Sequence, residues 1–307
     1  ESLSLKNSTG AVTATIDGDL IVNGGTFNAN IGATAGLTLL VGNNYTQTAG
    51  DFNLNTAAIG CLMYIDGNYT QSGGTFGHTG TTPSTIYLRG VSKTYNQSGG
   101  TVTNTYLNYQ IDDNVGANTA DITMDGPFSL AAGRTFIVNG TLALGNATLR
   151  LNTSSFTVAG AFTNNGSTYL NTSVIDGTGS FTQSSNNWSN LYIGHSLGIN
   201  AFASGAIGNI QTTTRTINTA ANYIYNGTVA QVTGDAYTTT AFPGTANVNS
   251  LTIDNPAGVT LSKNIIATSA LNLNSGVFQL DNFDFVVLNT NNATAVGGNT
   301  PSSTNMV

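Results

Sequence analysis

Large apolar residues return along this chain at fixed offsets. Phe27, Phe52, Phe76 and Val102 follow one another at 25, 24 and 26 residues. Seven residues before each stands another large apolar side chain: Leu20, Tyr45, Tyr69 and Tyr95. Between the two anchors lies a corner of small residues, NGG, TAG, SGG and SGG. Upstream of each unit comes an alternating run: Val12-Ala14-Ile16, Leu37-Leu39-Val41, Leu62-Tyr64 and Ile86-Leu88. Alternation at period two is the mark of a strand with one buried face. Each unit therefore predicts about three short strands, separated by Gly, Asn and Asp corners that turn the chain.

Like residues recurring every 20–25 residues predict an all-β chain wound as a parallel β-helix, or β-solenoid, with about three short strands per coil. A hairpin sandwich would space its strands at roughly 8–12 residues, with no reason for like residues to return on each third strand. In a solenoid each coil lies about 4.8 Å from the last, so equivalent residues stack in columns. Phe27, Phe52, Phe76 and Val102 form one expected interior column, and Tyr45, Tyr69 and Tyr95 another. Gln47, Gln71 and Gln97 share the parity of the tyrosines. They are expected to be buried as a ladder of mutually bonded amides; the functional alternative is a surface row of sugar-binding amides.

In the middle of the chain Leu142, Phe162 and Phe181 are 20 and 19 apart, with Leu149, Tyr169 and Trp188 seven residues beyond each. The same offset is read there as the same anchors. Residues 199–247 lose the rhythm, and Leu271 with Phe278 restores it. The expected organisation is regular coils over 1–200 and a continuing solenoid over 201–307, interrupted by an irregular insertion at 199–247. The C-terminal stretch has neither capping helix nor charged face, and an open strand edge invites association. The chain is therefore expected to be a fragment of something longer.

Composition agrees with strands. Only 7% of the 307 residues are charged, against about 25% in an average domain. Glu occurs once and Lys three times, so two strong helix formers are nearly missing. The 13 Phe and 12 Tyr set the chain apart from disordered Gly/Ser-rich sequences. Net charge is −7 with scattered cations, which argues against neutralising a row of phosphates and hence against nucleic acid. No apolar run nears the ~20 residues of a membrane helix, so no membrane insertion is expected. Cys61, in AIGCLMYI, is read as a buried structural thiol.

The stretch from Tyr223 to Leu280 resembles repeat units of large surface proteins of Bacteroidota, secreted by the type IX system and including gliding-motility-type adhesins. The matching phrases are Tyr225-Asn226-Gly227 with Gln231, then Leu251 to Leu261, then Leu271 to Leu280. The resemblance implies an extracellular, β-rich, adhesive cell-surface protein. Its motifs are structural, so no active residues carry over. Autotransporter passenger domains share similar composition and coils.

Candidate chemistry is sparse. Asp17 and Asp66 each precede the glycine of an IDG corner two coils apart. They invite comparison with a glycosidase carboxylate pair, but Asp before Gly is also a turn former, and the coil between is expected to put Val41 at that corner. Asp112, Asp113, Asp121 and Asp125 form the densest acidic stretch, and Ca²⁺ is the one ion weighed there; a solvated loop is the plainer reading. His78 and His195 stand alone and are read as surface residues. Otherwise no cofactor, metal or catalytic residue is expected.

The function expected is therefore a structural or adhesive stalk that presents a binding region. That region is placed where the repeat breaks, with Tyr223, Tyr225 and Tyr237 stacking on sugars. The expected partners are a glycan or cell-surface ligand, further repeats of the same chain, or other copies end to end. The alternatives are a carbohydrate-active β-helix enzyme, lyase or hydrolase, and a filament-forming surface subunit. Ice binding through TTT runs at 212–214 and 238–240 is a remoter one.

Overall fold

The computed structural model describes residues 2–6, 10–31, 35–153, 155–200, 207–237 and 247–298. The chain winds as a parallel β-solenoid of about eleven turns. At about 4.8 Å per turn, the stack is roughly 50 Å long. A sixteen-stranded sheet runs its length, from Ser2–Lys6 to Phe285–Val287, and a nine-stranded sheet runs from Val12–Ile16 to Thr214–Thr216. In the first coils the third wall is the far half of the long sheet, beyond the corner within Leu20–Asn30 and Tyr45–Asn55. Farther on it is a three-stranded sheet of Phe128–Leu130, Phe156–Val158 and Ile175–Asp176. In the last coils it is Gln231–Val232, Val259–Thr260 and Phe278–Gln279. Among the described residues no helix is long and apolar enough to cross a membrane.

The expected columns are there in register. Phe27 pairs with Phe52, Phe52 with Phe76, and Phe76 with Val102. Leu20, Tyr45, Tyr69 and Tyr95 stand one above another in the same way. Phe52 and Phe76 are wholly buried, while Phe27, which is also paired with Leu3 on the preceding coil, and Val102 are half-buried. The tyrosine rings lie parallel, 4.9 Å apart from Tyr45 to Tyr69 and 4.4 Å from Tyr69 to Tyr95. Glycine is required at the corner between the columns. Gly74 has φ +70°, and a Cβ there would meet the Gly50 carbonyl oxygen at 2.3 Å, well inside contact distance.

The glutamines are not bonded to one another. Gln47 and Gln71 are buried as expected. However, Gln47 Oε1 accepts from the Tyr45 hydroxyl at 2.8 Å, and its Nε2 donates to the carbonyls of Gly50 and Thr75, each at 3.0 Å. Gln71 repeats the set with Tyr69, Gly74 and Thr101. The corner carbonyls accept the protons of each amide, so none is left for the next glutamine. Gln97 is only half-buried. Buried amide-to-amide bonds do form elsewhere, from Asn30 Nδ2 to Asn55 Oδ1 at 3.1 Å and from Asn164 Nδ2 to Gln183 Oε1 at 2.9 Å.

Three expectations fail on parity or register. Leu142 is 77% exposed, at the tip of a small antiparallel hairpin of Gly140–Thr141 with Gly145–Asn146. The true neighbour of Phe162 is Phe136, in a column that runs through Leu39, Met63, Ile86, Tyr109, Phe136, Phe162 and Phe181. Leu149 pairs with Thr168, not Tyr169, and Trp188 lies in a turn. Leu62 and Tyr64 face outward, because Cys61, Met63 and Ile65 fill the core. Cys61 is buried, its Sγ 3.6 Å from the Leu54 carbonyl oxygen. In the described part of 199–247 the strands Thr214–Thr216, Asn222–Tyr225 and Gln231–Val232 take places in the stacked sheets. The coil widens there, with 34 residues from Phe181 to its partner Arg215.

Candidate functional site

The tyrosines expected to meet sugars are core residues. Tyr223 pairs with Leu191 and Leu251, and Tyr225 with Ile193 and Ile253, in two interior columns. Neither has measurable exposure, and Tyr237 is 2% exposed. Their hydroxyls are used inward. Tyr223 donates to the Asn218 carbonyl at 2.6 Å, and Tyr225 to the Thr233 carbonyl at 2.6 Å, with the Tyr237 hydroxyl 3.0 Å away. Burial drives all three above the usual phenol value of 10.0. Large side chains at inward parity fill a wide coil, so they offer no ring to solvent. The TTT run at 238–240 lies outside the described residues; in the other, Thr212 is buried.

Gln231, singled out above only as part of a phrase, ties three coils together. It occupies the column of Val259 and Phe278. Its Oε1 accepts from the Gly227 backbone at 2.8 Å and from Asn255 Nδ2 at 2.8 Å. Its Nε2 donates to the carbonyls of Ile193 and His195, at 3.1 and 3.0 Å. The Asn-Gly of YNG, the Gln and the Asn of LTIDN thus form one structural network.

The acidic residues do not converge. Arg89 holds Asp66 at 2.6 Å on one side and Asp113 at 2.9 Å on the other, and lies 4.7 Å above the ring of Tyr64, which stacks on Tyr87. Two aspartates sharing one guanidinium do not flank an open groove. Gly42, not Val41, lies against Asp17 at the corner before Asp66. Asp112 caps the backbone of Asp113, Thr119 and Ala120; Asp121 pairs with Arg150; Asp125 accepts from Asn152. The four point to four different partners, and among the described residues no three His, Cys, Asp or Glu side chains are grouped as a metal would need.

His78 is not a surface residue. It is 1% exposed, with Nε2 2.7 Å from Ser84 Oγ, which also accepts from the Cys61 backbone. Burial lowers its pKa below 6.5. A histidine beside a serine hydroxyl has the spacing of a base and nucleophile, but both are closed inside the coil and no substrate reaches them. His195 is at a partly exposed turn, where Nδ1 accepts from the Leu197 backbone.

An outward-facing candidate site lies on the long sheet. Asn190, Asn222, Ser250 and Ala270 follow one another on successive coils, and Tyr192, Ile224, Thr252 and Asn272 form the next outward row. With Asn249, Asp254 and Asn274 they line an open groove of about 540 Å³. Its amides run in one sense. Asn190 donates to Ser167 Oγ at 3.1 Å, Asn222 to Asn190 Oδ1 at 3.0 Å, and Asn249 to Asn222 Oδ1 at 2.7 Å, where the Ser250 hydroxyl also donates at 2.7 Å. Tyr192 ends a stack. Arg150, paired with Asp121, lies 4.2 Å from the centre of Tyr169, and Tyr169 lies 3.7 Å from Tyr192. One side of Tyr192 is thus covered by Tyr169, and Ile224 follows it in register on the next coil. Burial, then the Tyr169 hydroxyl, push Tyr192 above 10.0, so its hydroxyl stays neutral. The asparagines were not singled out from the sequence, since Asn is common throughout and outward parity is visible only once the coils are in register.

No protein-family model, no curated protein and no solved structure matches this chain.

Proposed function

We propose that this solenoid is part of an extracellular cell-surface protein, of the kind implied by the resemblance to type IX-secreted adhesins of Bacteroidota. In it the coils are a stiff stalk and the asparagine-lined groove is a contact for neutral glycans. The observation that carries this is the groove itself. Amide and hydroxyl groups stand in rows at the spacing of the coils, and the partly exposed Tyr192 lines the same groove. Amides offer both donors and acceptors to sugar hydroxyls, and aromatic faces pack on the apolar faces of sugars. Neighbouring amides hold one another, so the row is preorganised and loses little freedom on binding.

The test is a glycan array and a cell-binding assay with the whole chain. Tyr192→Ala and Asn222→Ala are expected to weaken binding about tenfold or more, consistent with losing a hydrogen bond or stacking contact of about 1.4 kcal/mol. Binding that both variants leave intact, or no binding by the parent chain, overturns this use of the groove.

A further inference from the structure

One column of the core ends with its last amide unused. Gln47, Gln71 and Gln97 stand in register on three coils. The first two are saturated in the same way: a tyrosine hydroxyl donates to Oε1, and Nε2 donates to a carbonyl of its own corner and to one of the following coil. Gln97 has no hydrogen-bond partner for its amide among the described residues. The cause is topological. The corner strand that supplied Thr75 and Thr101 stops at Thr101–Val102, which pairs only backward, with Thr75–His78. On the next coil Gly126 lies against the Gln97 backbone and brings no side chain. The third wall then resumes at Phe128, which pairs forward with Phe156.

Gln97, half-exposed, lines a cleft of about 440 Å³ together with Ser98, Gly100, Phe128, Ser129 and Ser155. That volume lies within the range of small-molecule sites, about 300–1,000 Å³. We propose that this cleft binds a neutral sugar residue through a pair of adjacent hydroxyls. The first two coils define what the amide lacks: one hydroxyl donor for Oε1 and oxygen acceptors for Nε2. A vicinal diol supplies both, since each hydroxyl donates once and accepts twice. The serine hydroxyls offer further contacts, and no charged side chain lines the cleft, which matches a neutral ligand rather than a uronate or phosphate. The site is separate from the asparagine-lined groove and shares with the reading above only the class of ligand.

The experiment is titration calorimetry of the whole chain with neutral pentasaccharides of glucose, mannose, galactose and xylose. At least one is expected to bind, with affinity falling tenfold or more in both Gln97→Leu and Gln97→Glu, while Tyr192→Ala leaves part of the binding in place. Melting temperatures of the variants check that the coils are intact; a half-exposed, unbonded amide should leave them close to the parent. Failure of every pentasaccharide to bind overturns this site and weakens the groove as well. Binding that Tyr192→Ala abolishes and Gln97→Leu leaves unchanged overturns this site alone.

Discussion

The coils between Leu20 and Val102 and those between Leu191 and Phe278 bury polar groups in the same kind of core by opposite means. In the first region the sequence repeats, and so does each solution: Tyr45 with Gln47, then Tyr69 with Gln71. Each unit closes its own corner and one neighbour. In the second region the coil widens, with 32 residues from Leu191 to Tyr223 and 28 from Tyr223 to Leu251. There a single glutamine, Gln231, bonds to backbone at 193, 195 and 227 and to Asn255. Regular coils repeat one bonding unit on each turn, whereas the wide coils use different buried residues, Asn209, Gln231, Asn247 and Asn255, of which Gln231 makes four bonds. The first arrangement tolerates local damage, and the second should not.

Three substitutions or conditions sharpen this contrast. The largest effect is expected from packing. Phe76→Ala removes a buried ring that lies 5.0 Å from Phe52 and 5.6 Å from Tyr45, and should cost about 3–5 kcal/mol in denaturant unfolding. Phe27→Ala, at a half-buried position of the same column, should cost clearly less. Equal losses would mean that burial does not grade the column.

Next comes the polar core. Gln231→Leu leaves the Gly227 backbone N–H without its partner, about 1–3 kcal/mol when buried and unpaired, and removes one of two bonds from the Ile193 and His195 carbonyls and from the Asn255 amide. The coils around Val259 are expected to open before the rest, seen as early hydrogen exchange at Gly227 and Asn255. Gln71→Leu should open only its own corner and cost less. If Gln71→Leu proves the more damaging, the contrast between the two arrangements is wrong.

The smallest effect is the titration of His78, within the narrow coils. Its folded pKa lies below 6.5 because burial penalises the cation. The unfolded chain therefore takes up the proton first as pH falls. Stability is fully present above about pH 6.5 and declines below it, until the lower folded pKa is reached. The slope is at most about 1.4 kcal/mol per pH unit for one proton. Melting followed from pH 7.5 to 5 should show this decline in the parent and a flatter profile in His78→Gln. An unchanged profile would remove His78 as its source.

How much was legible beforehand depends on whether a residue's neighbours in space also recur in sequence. Phe27, Phe52, Phe76 and the tyrosine column could be placed in register because the period holds within two residues. The middle of the chain misled for a physical reason. The hairpin around Leu142 adds residues without adding a coil, so the offset of seven persisted while the register slipped. The sugar-binding role given to Tyr223, Tyr225 and Tyr237 failed because disorder in the repeat was equated with exposure; wide coils need large side chains to fill them. The asparagine-lined groove and the Gln97 cleft were unreadable, since each depends on what the adjacent coil does or does not place opposite.

The sequence alone determined the all-β solenoid, its strand and corner pattern, and which residues stack in the first four coils. Those follow from the hydrophobic effect and glycine's freedom, acting identically on each unit. Tertiary structure alone decided which polar groups are satisfied and which remain open. A hydrogen bond needs its partner within about 3 Å, and in this solenoid many of those partners lie one whole coil away, where a hairpin, a widened turn or a missing strand changes what arrives.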